Sequence, residues 1–546
     1  MKKRLLIIFG LILLTLPTVL PFFNSKFFYT QDYIFIARLH QISTALSDGS
    51  FPVRWAPDFR YGEPTFNFYA ALPYYFGSII HFLGFNFIWV AKFLFILSSL
   101  LSAFTMYIFA EKLFGKKGAF MSVALYTYAP YRAVDLYVRG ALSEAWAFVF
   151  FPLIFYCTLL LSEKINLKRI ACLALSLAGL FLTHNVTTLM FLPFFGLFIL
   201  YLIIKQKNWK LIFPLFSSLI LGFGLASFFL LPASFEKDFI QTKYLTVGYF
   251  NFRAHFVAYS QFFSTFWGYG SSLWGRDDGL SFQVGLANWV TLGLAAILGI
   301  IDKKDKKFLT LLVFLGLSFL LSLFLQHNKS GFIWEAIPLM AFIQFPWRFL
   351  AISVFISAIV GGAITPFLNG KFKLLYFVLF IFVIIAPILY FKPQKYIDDN
   401  FFDKFLNKEI MKQGVDLTKD YLPIWVQTTD ASPLNYPEAQ TGKMAVSSFE
   451  KKTGRAFSQM SVYEDSVIEV PISYFPGWTV IANGKMVDLE EPGVRGVIKF
   501  KLPKGNYHVE FEFKDTPVRM IGNIISIISA AILAAFLILK KTPKNV

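Results

Sequence analysis

Residues 30–63 read TQDYIFIARLHQISTALSDGSFPVRWAPDFRYGE, a polar and aromatic stretch that follows the first strongly apolar segment of the chain. It holds three arginines and four carboxylates. Such a density of titratable groups beside a membrane helix indicates a site for an anionic, partly apolar ligand, although a plain interfacial loop is also rich in Tyr and Trp. We interpret the stretch as the centre of a site and call residues 24–86 the first loop.

The composition identifies a polytopic membrane protein. Of the 546 residues, 56% are hydrophobic and only 15% are charged, which excludes an ordinary soluble globular protein. Much of the net charge of +18 sits in short basic clusters between apolar runs, a pattern that the positive-inside rule explains without a nucleic-acid partner. Cys157 and Cys172 lie in or beside apolar segments, so neither a disulfide framework nor a cysteine metal site is indicated.

Hydropathy predicts about twelve membrane-spanning helices. Lys2, Lys3 and Arg4 precede an apolar run of nearly the ~20 residues that a crossing needs, without a cleavage site, so we expect an uncleaved first helix and a cytoplasmic N-terminus. Residues 70–85 are short for a crossing, and we expect them to lie at the interface or to re-enter the membrane. The predicted spans are 5–23, 87–112, 118–131, 143–161, 170–184, 186–204, 211–231, 284–301, 308–325, 349–367, 373–391 and 520–539.

This assignment places the short basic clusters on one side of the membrane, which the positive-inside rule identifies as cytoplasmic. If residues 70–85 crossed fully, all the later clusters would move outside. The polar loops then lie on the outer face, where we expect the chemistry. The clusters are Lys116–Lys117, Lys164 with Lys168–Arg169, Lys205–Lys210, Lys303–Lys307, Lys371 with Lys373, and Lys540–Lys541.

The composition becomes polar after Tyr390. The later part of this region alternates as strands do, for example in HVEFEF at 508–513, and Asn483-Gly484 is a two-residue hairpin signal. We therefore expect three parts: a transmembrane domain over 1–391, an extracytoplasmic β-sandwich-like domain over 392–519, and a C-terminal transmembrane anchor with a basic tail over 520–546.

Four side chains of the first loop are candidates for function. Asp32 follows the first helix closely, so it would act at the membrane surface as a general base or as a ligand to a cation; alternatively it caps the next helix. Arg38 and Arg54 carry the planar guanidinium that suits phosphate, but either could extend along the interface instead. Glu63 stands in a Gly-Glu-Pro turn that displays it rigidly, as turns display many residues.

The later outer turns add further candidates. Asp135 and Arg139 are spaced to share a helix face, so they either pair with each other or bind substrate. Glu144 heads an apolar helix, where an acid is costly unless it is partnered or functional, and we weight it above Asp135. His184, at a corner between two apolar runs, makes either an interhelical hydrogen bond or a substrate contact. Arg348 opens a later helix, and we interpret it as extending to the interface.

The sequence has no motif for a soluble nucleotide donor. It lacks a Walker A motif, a GxGxxG after a strand and a GxSxG, and its six histidines show no HExxH spacing. No cytoplasmic domain is predicted that could bind a nucleotide, so a lipid-linked donor that reaches an outward-facing cavity fits better. No cofactor is indicated with certainty, and the participation of a divalent cation stays open.

Short motifs follow one another in a defined order along nearly the whole chain. They are Asp32, GSFPVRW at 49–55, GEP at 62–64, FY at 68–69, LPYY at 72–75, RGA at 139–141 with Glu144, YLP at 421–423, FPGW at 475–478, NGK at 483–485 and LPKG at 502–505. This pattern resembles bacterial membrane proteins related to 6-pyruvoyl-tetrahydropterin synthase. Those proteins are similar to YfhO-type proteins and to the wider GT-C glycosyltransferases.

The resemblance implies a GT-C-like transmembrane domain in the plasma membrane and an inverting sugar transfer. The donor would be a polyprenyl-phosphate sugar, and the acceptor a cell-envelope glycan, glycolipid or protein on the outer face. The resemblance also implies an acidic residue of the first outer loop at the reaction centre, and Asp32 is the position that matches. Its neighbour is Tyr33 rather than a second acid, so Glu63 or Glu144 would have to take that place.

Arg139, Arg38 or Arg54 would then hold the departing lipid phosphate through charge-assisted contacts. Two other classes of function remain open. A lipid or polysaccharide flippase should place charges at mid-membrane and show two related halves, and we find neither in the sequence. A non-catalytic envelope scaffold, whose β-domain binds glycan, would tolerate the loss of Asp32 and Glu144 together.

Overall fold

The computed structural model of the chain describes residues 2–301, 306–412, 421–428 and 434–538. Helices make up most of the first two of these ranges, and strands dominate from 438 to 513. The helices are α1 (Lys2–Val19), α2 (Ile34–Ser47), α3 (Thr65–Phe68), α4 (Leu72–Phe82), α5 (Phe87–Thr127), α6 (Pro130–Ala133), α7 (Leu142–Glu163), α8 (Leu167–Phe181), α9 (Asn185–Gln206), α10 (Ile212–Phe235), α11 (Tyr259–Phe263), α12 (Leu286–Ile301), α13 (Lys306–Phe324), α14 (Gly331–Ala336), α15 (Leu350–Ala363), α16 (Lys373–Ile385), α17 (Asp403–Leu406), α18 (Lys408–Lys412) and α19 (Pro517–Ile538).

Nine helical segments among the described residues are long and apolar enough to cross a membrane, which confirms a polytopic helical protein. Within the described residues, the twelve predicted spans fall on helical segments. Only nine of these segments are long enough to cross, so three predicted spans have no separate long helix. Two of these three match α8 and α12, which have 15 and 16 residues. Both are shorter than the ~20 residues of a straight crossing.

The third difference concerns α5, which contains both predicted spans 87–112 and 118–131 within 41 residues. Gly115 interrupts its helical geometry, with φ 70° and ψ −177°. Glycine adopts a positive φ readily because it has no Cβ to clash with the backbone. The segment therefore consists of two helical parts that meet where hydropathy places the boundary.

The first loop contains helices too short to cross the bilayer. α4 has 11 residues. At about 1.5 Å per residue it covers roughly half of the ~30 Å hydrocarbon core. It packs on α2, where Ser43 Oγ donates a hydrogen bond to Ser78 Oγ at 2.9 Å. Residues 70–85 thus contain a helix too short for a full crossing, and their interfacial or re-entrant position stays a prediction.

The connections that carry basic clusters meet at one end of the helical bundle. Lys112 Nζ lies 2.7 Å from Glu163 Oε1, at the end of α7. Lys117 Nζ donates to Asn369 Oδ1 at 2.7 Å, in the connection between α15 and α16. This gathering follows from helix direction, since both α7 and α15 run toward that end. Lys540–Lys541 and residues 302–305 lie outside the described residues.

The strand-rich region is an antiparallel two-sheet structure. Its larger sheet has the order β4-β5-β10-β7-β8 and its smaller sheet the order β3-β6-β9, while β1 and β2 form a separate pair. Phe500 of the smaller sheet and Phe511 of the larger have ring centroids 5.9 Å apart in a shared apolar core, which confirms the β-sandwich-like prediction. The strands are β1 (Phe27–Phe28), β2 (Tyr396–Ile397), β3 (Glu438–Thr441), β4 (Met444–Lys452), β5 (Arg455–Val462), β6 (Ser466–Ser473), β7 (Trp478–Ala482), β8 (Lys485–Val487), β9 (Val497–Leu502) and β10 (Gly505–Phe513).

The last helix, α19, packs tightly on α10. A Cβ on Gly522 would lie 2.7 Å from Ser227 O, so the two backbones approach closely there. Ser526 Oγ donates to Gly224 O at 3.0 Å and accepts from the Phe228 N–H at 2.8 Å. Small residues and hydroxyl hydrogen bonds of this kind are typical of helix interfaces in membranes. The predicted anchor is therefore part of the helical bundle.

Candidate active site

A cavity of about 1650 Å³ lies at the end of the bundle opposite the basic connections. Residues at the starts of α2, α7 and α9 and at the end of α10 line it, although these elements are far apart in sequence. Six of the predicted site residues are in its wall: Asp32, Arg38, Glu63, Arg139, Glu144 and His184. The first loop and the later turns therefore meet in one place.

Asp32 serves as a helix cap and also lines the cavity. Its Oδ1 accepts a hydrogen bond from the Ile34 N–H at 2.8 Å, at the start of α2. Asp32 is exposed, and it faces a cavity surrounded by protein, which still desolvates its carboxylate in part. This desolvation raises the pKa of Asp32, against the opposing effects of Arg38, the Ile34 N–H and Arg139. A carboxylate with increased proton affinity is suited to general-base chemistry.

The position of Asp32 depends on the turn before α7. The segment Val134–Arg139 is a π-helical turn, a rare element that occurs frequently at functional sites. It ends at Gly140, which has φ 68°. The Asp32 N–H donates to Arg139 O at 3.1 Å, and a Cβ on Gly140 would lie only 2.7 Å from Asp32 O. Glycine at 140 thus allows the two loops to touch directly beside the carboxylate.

Arg38 presents a buried cation to the same cavity. Its guanidinium carbon lies 3.8 Å from the centre of the Tyr69 ring, and the residue is 7% exposed. Its Nε has no hydrogen-bond partner, and no described carboxylate forms an ion pair with it. Burial disfavours its charge, but Tyr69, Tyr74 and Asp32 raise the pKa of Arg38, so it stays protonated. The stacking by Tyr69 depends on how α3 packs, and nothing in the sequence indicates it.

Arg139 is instead committed to a buried carboxylate cluster. Its Nη1 donates to Asp135 Oδ1 and, at 2.9 Å, to Glu144 Oε2. The Tyr131 hydroxyl donates to the other Glu144 oxygen at 2.6 Å. Both acids are buried, and Asp135 is not among the residues that line the cavity. The pairing of Asp135 with Arg139, one of the two predicted alternatives, is present in the structure.

Arg348 lies in the cavity wall, unlike the interfacial position that the sequence suggests. Its Nε is 3.8 Å from Glu144 Oε2, and its Nη1 donates to Ile343 O at 2.9 Å and to Gln344 Oε1 at 3.3 Å. Gln344 has φ 66°, an uncommon conformation for a residue other than glycine. The aromatic FPWRF motif around Arg348 is equally typical of a membrane interface, so the sequence did not separate the two positions.

Arg54 lies outside the set of cavity-lining residues. Its Nε is 3.2 Å from Asp515 Oδ1. Its Nη1 donates to Asn67 Oδ1 at 3.2 Å and to Phe228 O at 2.9 Å, and its Nη2 donates to Asn523 Oδ1 at 2.9 Å. These partners belong to α3, α10, α19 and the segment that precedes α19. The structure therefore places Arg54 in a junction between elements.

Glu63 and His184 line the cavity and also have local partners. Glu63 Oε1 accepts from Thr65 Oγ1 at 2.5 Å, and its backbone pairs with that of Ala56 in an isolated antiparallel bridge. His184 Nδ1 lies 2.6 Å from Thr187 Oγ1. These contacts fix both side chains in the wall, and their roles toward a substrate stay predictions.

The donor set around Asp32 does not suit a divalent cation. Within the described ranges, no group of three or more His, Cys, Asp or Glu residues is placed to share a metal ion. The charged groups that act on Asp32 are Arg38 and Arg139, and both would repel a cation. We therefore derive no step through a metal.

Comparison with known proteins places the chain in a family. The family model for the 6-pyruvoyl-tetrahydropterin synthase related domain, a membrane protein, matches residues 66–393, which is more than half of the chain. An uncharacterized protein of Lactococcus lactis subsp. cremoris (strain MG1363) is 30% identical over 236 residues, which are 41% of this chain and 38% of that protein. The match thus spans well under half of that relative's length. The chain belongs to the family of membrane proteins with a 6-pyruvoyl-tetrahydropterin synthase related domain.

Proposed function

We propose that this protein is a GT-C-type glycosyltransferase that moves a sugar from a polyprenyl-phosphate donor to a cell-envelope acceptor. One observation carries the proposal. Asp32, a carboxylate with a raised pKa, shares a large cavity with Arg38, a buried guanidinium that pairs with no described carboxylate. A buried cation without an anionic partner is costly, and a phosphate group of the substrate would remove that cost.

The position of the cavity also supports a lipid-linked donor. Membrane-spanning helices α7, α9 and α10 each contribute an end to its wall. A phosphate at the membrane surface could reach Arg38 while its hydrocarbon chain stays in the bilayer. Since the basic connections lie at the other end of the bundle, the positive-inside rule favours the outer face of the plasma membrane for the reaction.

The reaction follows from the roles of two side chains. Asp32 accepts the proton of an acceptor hydroxyl as that oxygen attacks the anomeric carbon. The new glycosidic bond forms on the face opposite the phosphate, and the bond between the anomeric carbon and the phosphate oxygen breaks with inversion. The leaving group is the polyprenyl phosphate, and Arg38 stabilises the negative charge that develops on it. Glu144, Arg139 and Arg348 would orient the sugar from the facing wall.

The Asp32→Asn variant tests this proposal because it keeps an oxygen for the Ile34 N–H but loses the base. We expect transfer of labelled sugar from a polyprenyl-phosphate donor, assayed in membranes and normalised to folded protein, to fall by about 100- to 10,000-fold. The matched control is Asp48→Asn. Asp48 lies in the same loop outside the cavity lining, and its Oδ2 accepts a hydrogen bond from the Thr453 N–H at 2.7 Å.

Full transfer by Asp32→Asn with normal expression would show that another group is the base. The donor can also be followed in a deletion strain. Accumulation of the polyprenyl-phosphate sugar is expected from loss of a transferase. If the lipid were missing from the outer leaflet instead, the protein would be a flippase.

A further inference from the structure

Arg519, at the start of α19, forms a fully buried ion pair with the end of α10. Its Nε and Nη2 donate to Glu236 Oε2 at 3.0 and 2.9 Å, and its side chain is 0% exposed. The same guanidinium donates to Pro476 O at 3.0 Å and to Lys514 O at 3.3 Å in the β-sandwich region. Arg519 thus joins the last helix, the β-sandwich region and the helical bundle at one point.

Glu236 extends this contact into the first loop. Its Oε2, the oxygen that binds Arg519, also accepts a hydrogen bond from Asn67 Nδ2 at 2.7 Å. Asn67 lies in α3 and is 1% exposed. A carboxylate oxygen shared by a guanidinium and an amide fixes the rotation of α3 as well as its distance from α10.

The rotation of α3 determines where the next residue points. Tyr69 directly follows α3, and its N–H donates to Thr65 O at 2.9 Å, so the tyrosine moves with that turn. The centre of the Tyr69 ring lies 3.8 Å from the guanidinium carbon of Arg38, which stacks on it. A continuous series of contacts therefore leads from Arg519 through Glu236, Asn67 and Tyr69 to Arg38.

We infer that Arg519 is a positioning residue for the anion-binding face of the cavity, acting through Glu236 and Asn67 on the Tyr69–Arg38 stack. This rests on the proposed function in that a lipid phosphate is taken as the ligand of Arg38. The C-terminal part of the chain is then needed for donor binding, although it supplies neither Asp32 nor Arg38.

An anchoring role alone does not account for this network. α19 is already joined to α10 by the close approach at Gly522 and by the two hydrogen bonds of Ser526, and neither contact involves the first loop. A fully buried ion pair is also a weak source of stability, because desolvation of both charges offsets their attraction. The network adds a connection to Asn67, which fixes the rotation of α3 in the first loop.

The test uses the full-length protein in nanodiscs and two readouts. The first is hydrogen–deuterium exchange of the amides of residues 65–69, which reports the order of α3. The second is binding of a polyprenyl phosphate without sugar. The variants are Asn67→Ala, which leaves the Arg519–Glu236 pair intact, and Arg519→Gln. The control is Arg495→Gln, which breaks the half-buried ion pair with Glu469 inside the β-sandwich region.

We expect faster exchange at residues 65–69 in both variants and not in the control. Binding should weaken about tenfold, less than the ~100-fold that a 1 Å misplacement near a reacting centre can cost. In an Arg38→Gln background, Asn67→Ala should cause no further loss, because coupled residues are not additive. A purely structural effect would instead leave the two binding losses additive, whatever the change in melting temperature.

Unchanged exchange at residues 65–69 in Asn67→Ala would overturn the inference even if the donor binds. Additive binding losses of Asn67→Ala and Arg38→Gln would overturn it as well. If the wild-type protein bound no polyprenyl phosphate while exchange still rose in both variants, the proposed donor would be wrong. The positioning of α3 by Arg519 would then stand. The two failures are therefore distinguishable.

Discussion

Arg38 and Arg54 belong to the same loop and suit phosphate equally well by residue type, yet the fold uses them in opposite ways. Arg38 lines the cavity, rests on the Tyr69 ring and pairs with no described carboxylate. Arg54 has partners on every guanidinium nitrogen, among them Asp515 and Asn523 near the other end of the chain. An arginine whose hydrogen-bonding groups are already occupied holds the fold, whereas one left open can bind a ligand.

Replacing Arg38 should give the larger loss of function. Truncating one partner of a buried, charged contact costs about 2–5 kcal/mol, so Arg38→Gln should reduce transfer at limiting donor by about 100-fold. Arg38→Lys should recover only part of this, because a lysine cannot offer the two parallel hydrogen bonds of a guanidinium. The measurement is transfer as a function of donor concentration.

The melting temperature of Arg38→Gln is the internal control. It should fall only slightly, because Arg38 forms no ion pair with a described carboxylate and the substitution removes mainly its contact with the Tyr69 ring. A fall in melting temperature that parallels the loss of transfer would place Arg38 with Arg54, among the residues that hold the fold.

Arg54→Gln should show the reverse behaviour. It leaves Asp515 without its cation and the Oδ1 atoms of Asn67 and Asn523 without a donor. Because Asp515 is partly exposed, we expect a loss of about 1–2 kcal/mol in the free energy of unfolding. Transfer per folded molecule should fall by about tenfold at most, as for Asn67→Ala, because Arg54 acts on the cavity only through the hydrogen bond that it donates to Asn67 Oδ1. Exposed Arg455→Gln, in β5, is the matched control and should alter neither quantity. A loss as large as that of Arg38→Gln in a fully folded Arg54→Gln protein would bring Arg54 into the substrate site.

The contrast between these arginines also shows what the sequence could predict. Hydropathy located the helical segments and even the boundary at Gly115, because burial in lipid is a property of each segment alone. Period-two alternation and the Asn483-Gly484 turn predicted β7 and β8, because both signals are likewise properties of a short stretch of chain. The presence of Asp32 and Glu144 in the wall of one cavity followed from topology, because connections on the same side of a bundle come together.

What the sequence could not supply were the partners of the charged groups. Nothing near Arg54 in the chain indicates that Asp515 will neutralise it, and nothing near Arg348 indicates that it will face Glu144. These pairings join residues hundreds of positions apart and depend on how the helices pack. They determine which arginines remain free to bind a ligand. The composition of the first loop could therefore predict where the site is, but not which of its residues bind substrate and which stabilise the fold.

The smallest expected effect concerns the ionisation of Asp32, which lies beside Arg38 in the same cavity. Desolvation raises the pKa of Asp32 above its ordinary value of 3.8, although Arg38 and Arg139 act in the opposite direction. A carboxyl group with a raised pKa in the folded state binds its proton more tightly when folded. Its contribution to stability is therefore full below pH 3.8 and is lost as the pH rises through the raised value.

Asp32→Asn cannot ionise, so the difference in melting temperature between this variant and the wild-type protein should change with pH. Relative to the variant, the wild type should be most stable in acid and should lose that advantage toward neutral pH. If the wild type instead gained stability as the pH rose, the two arginines would outweigh desolvation. The assignment of Asp32 as the base would then lose its electrostatic support.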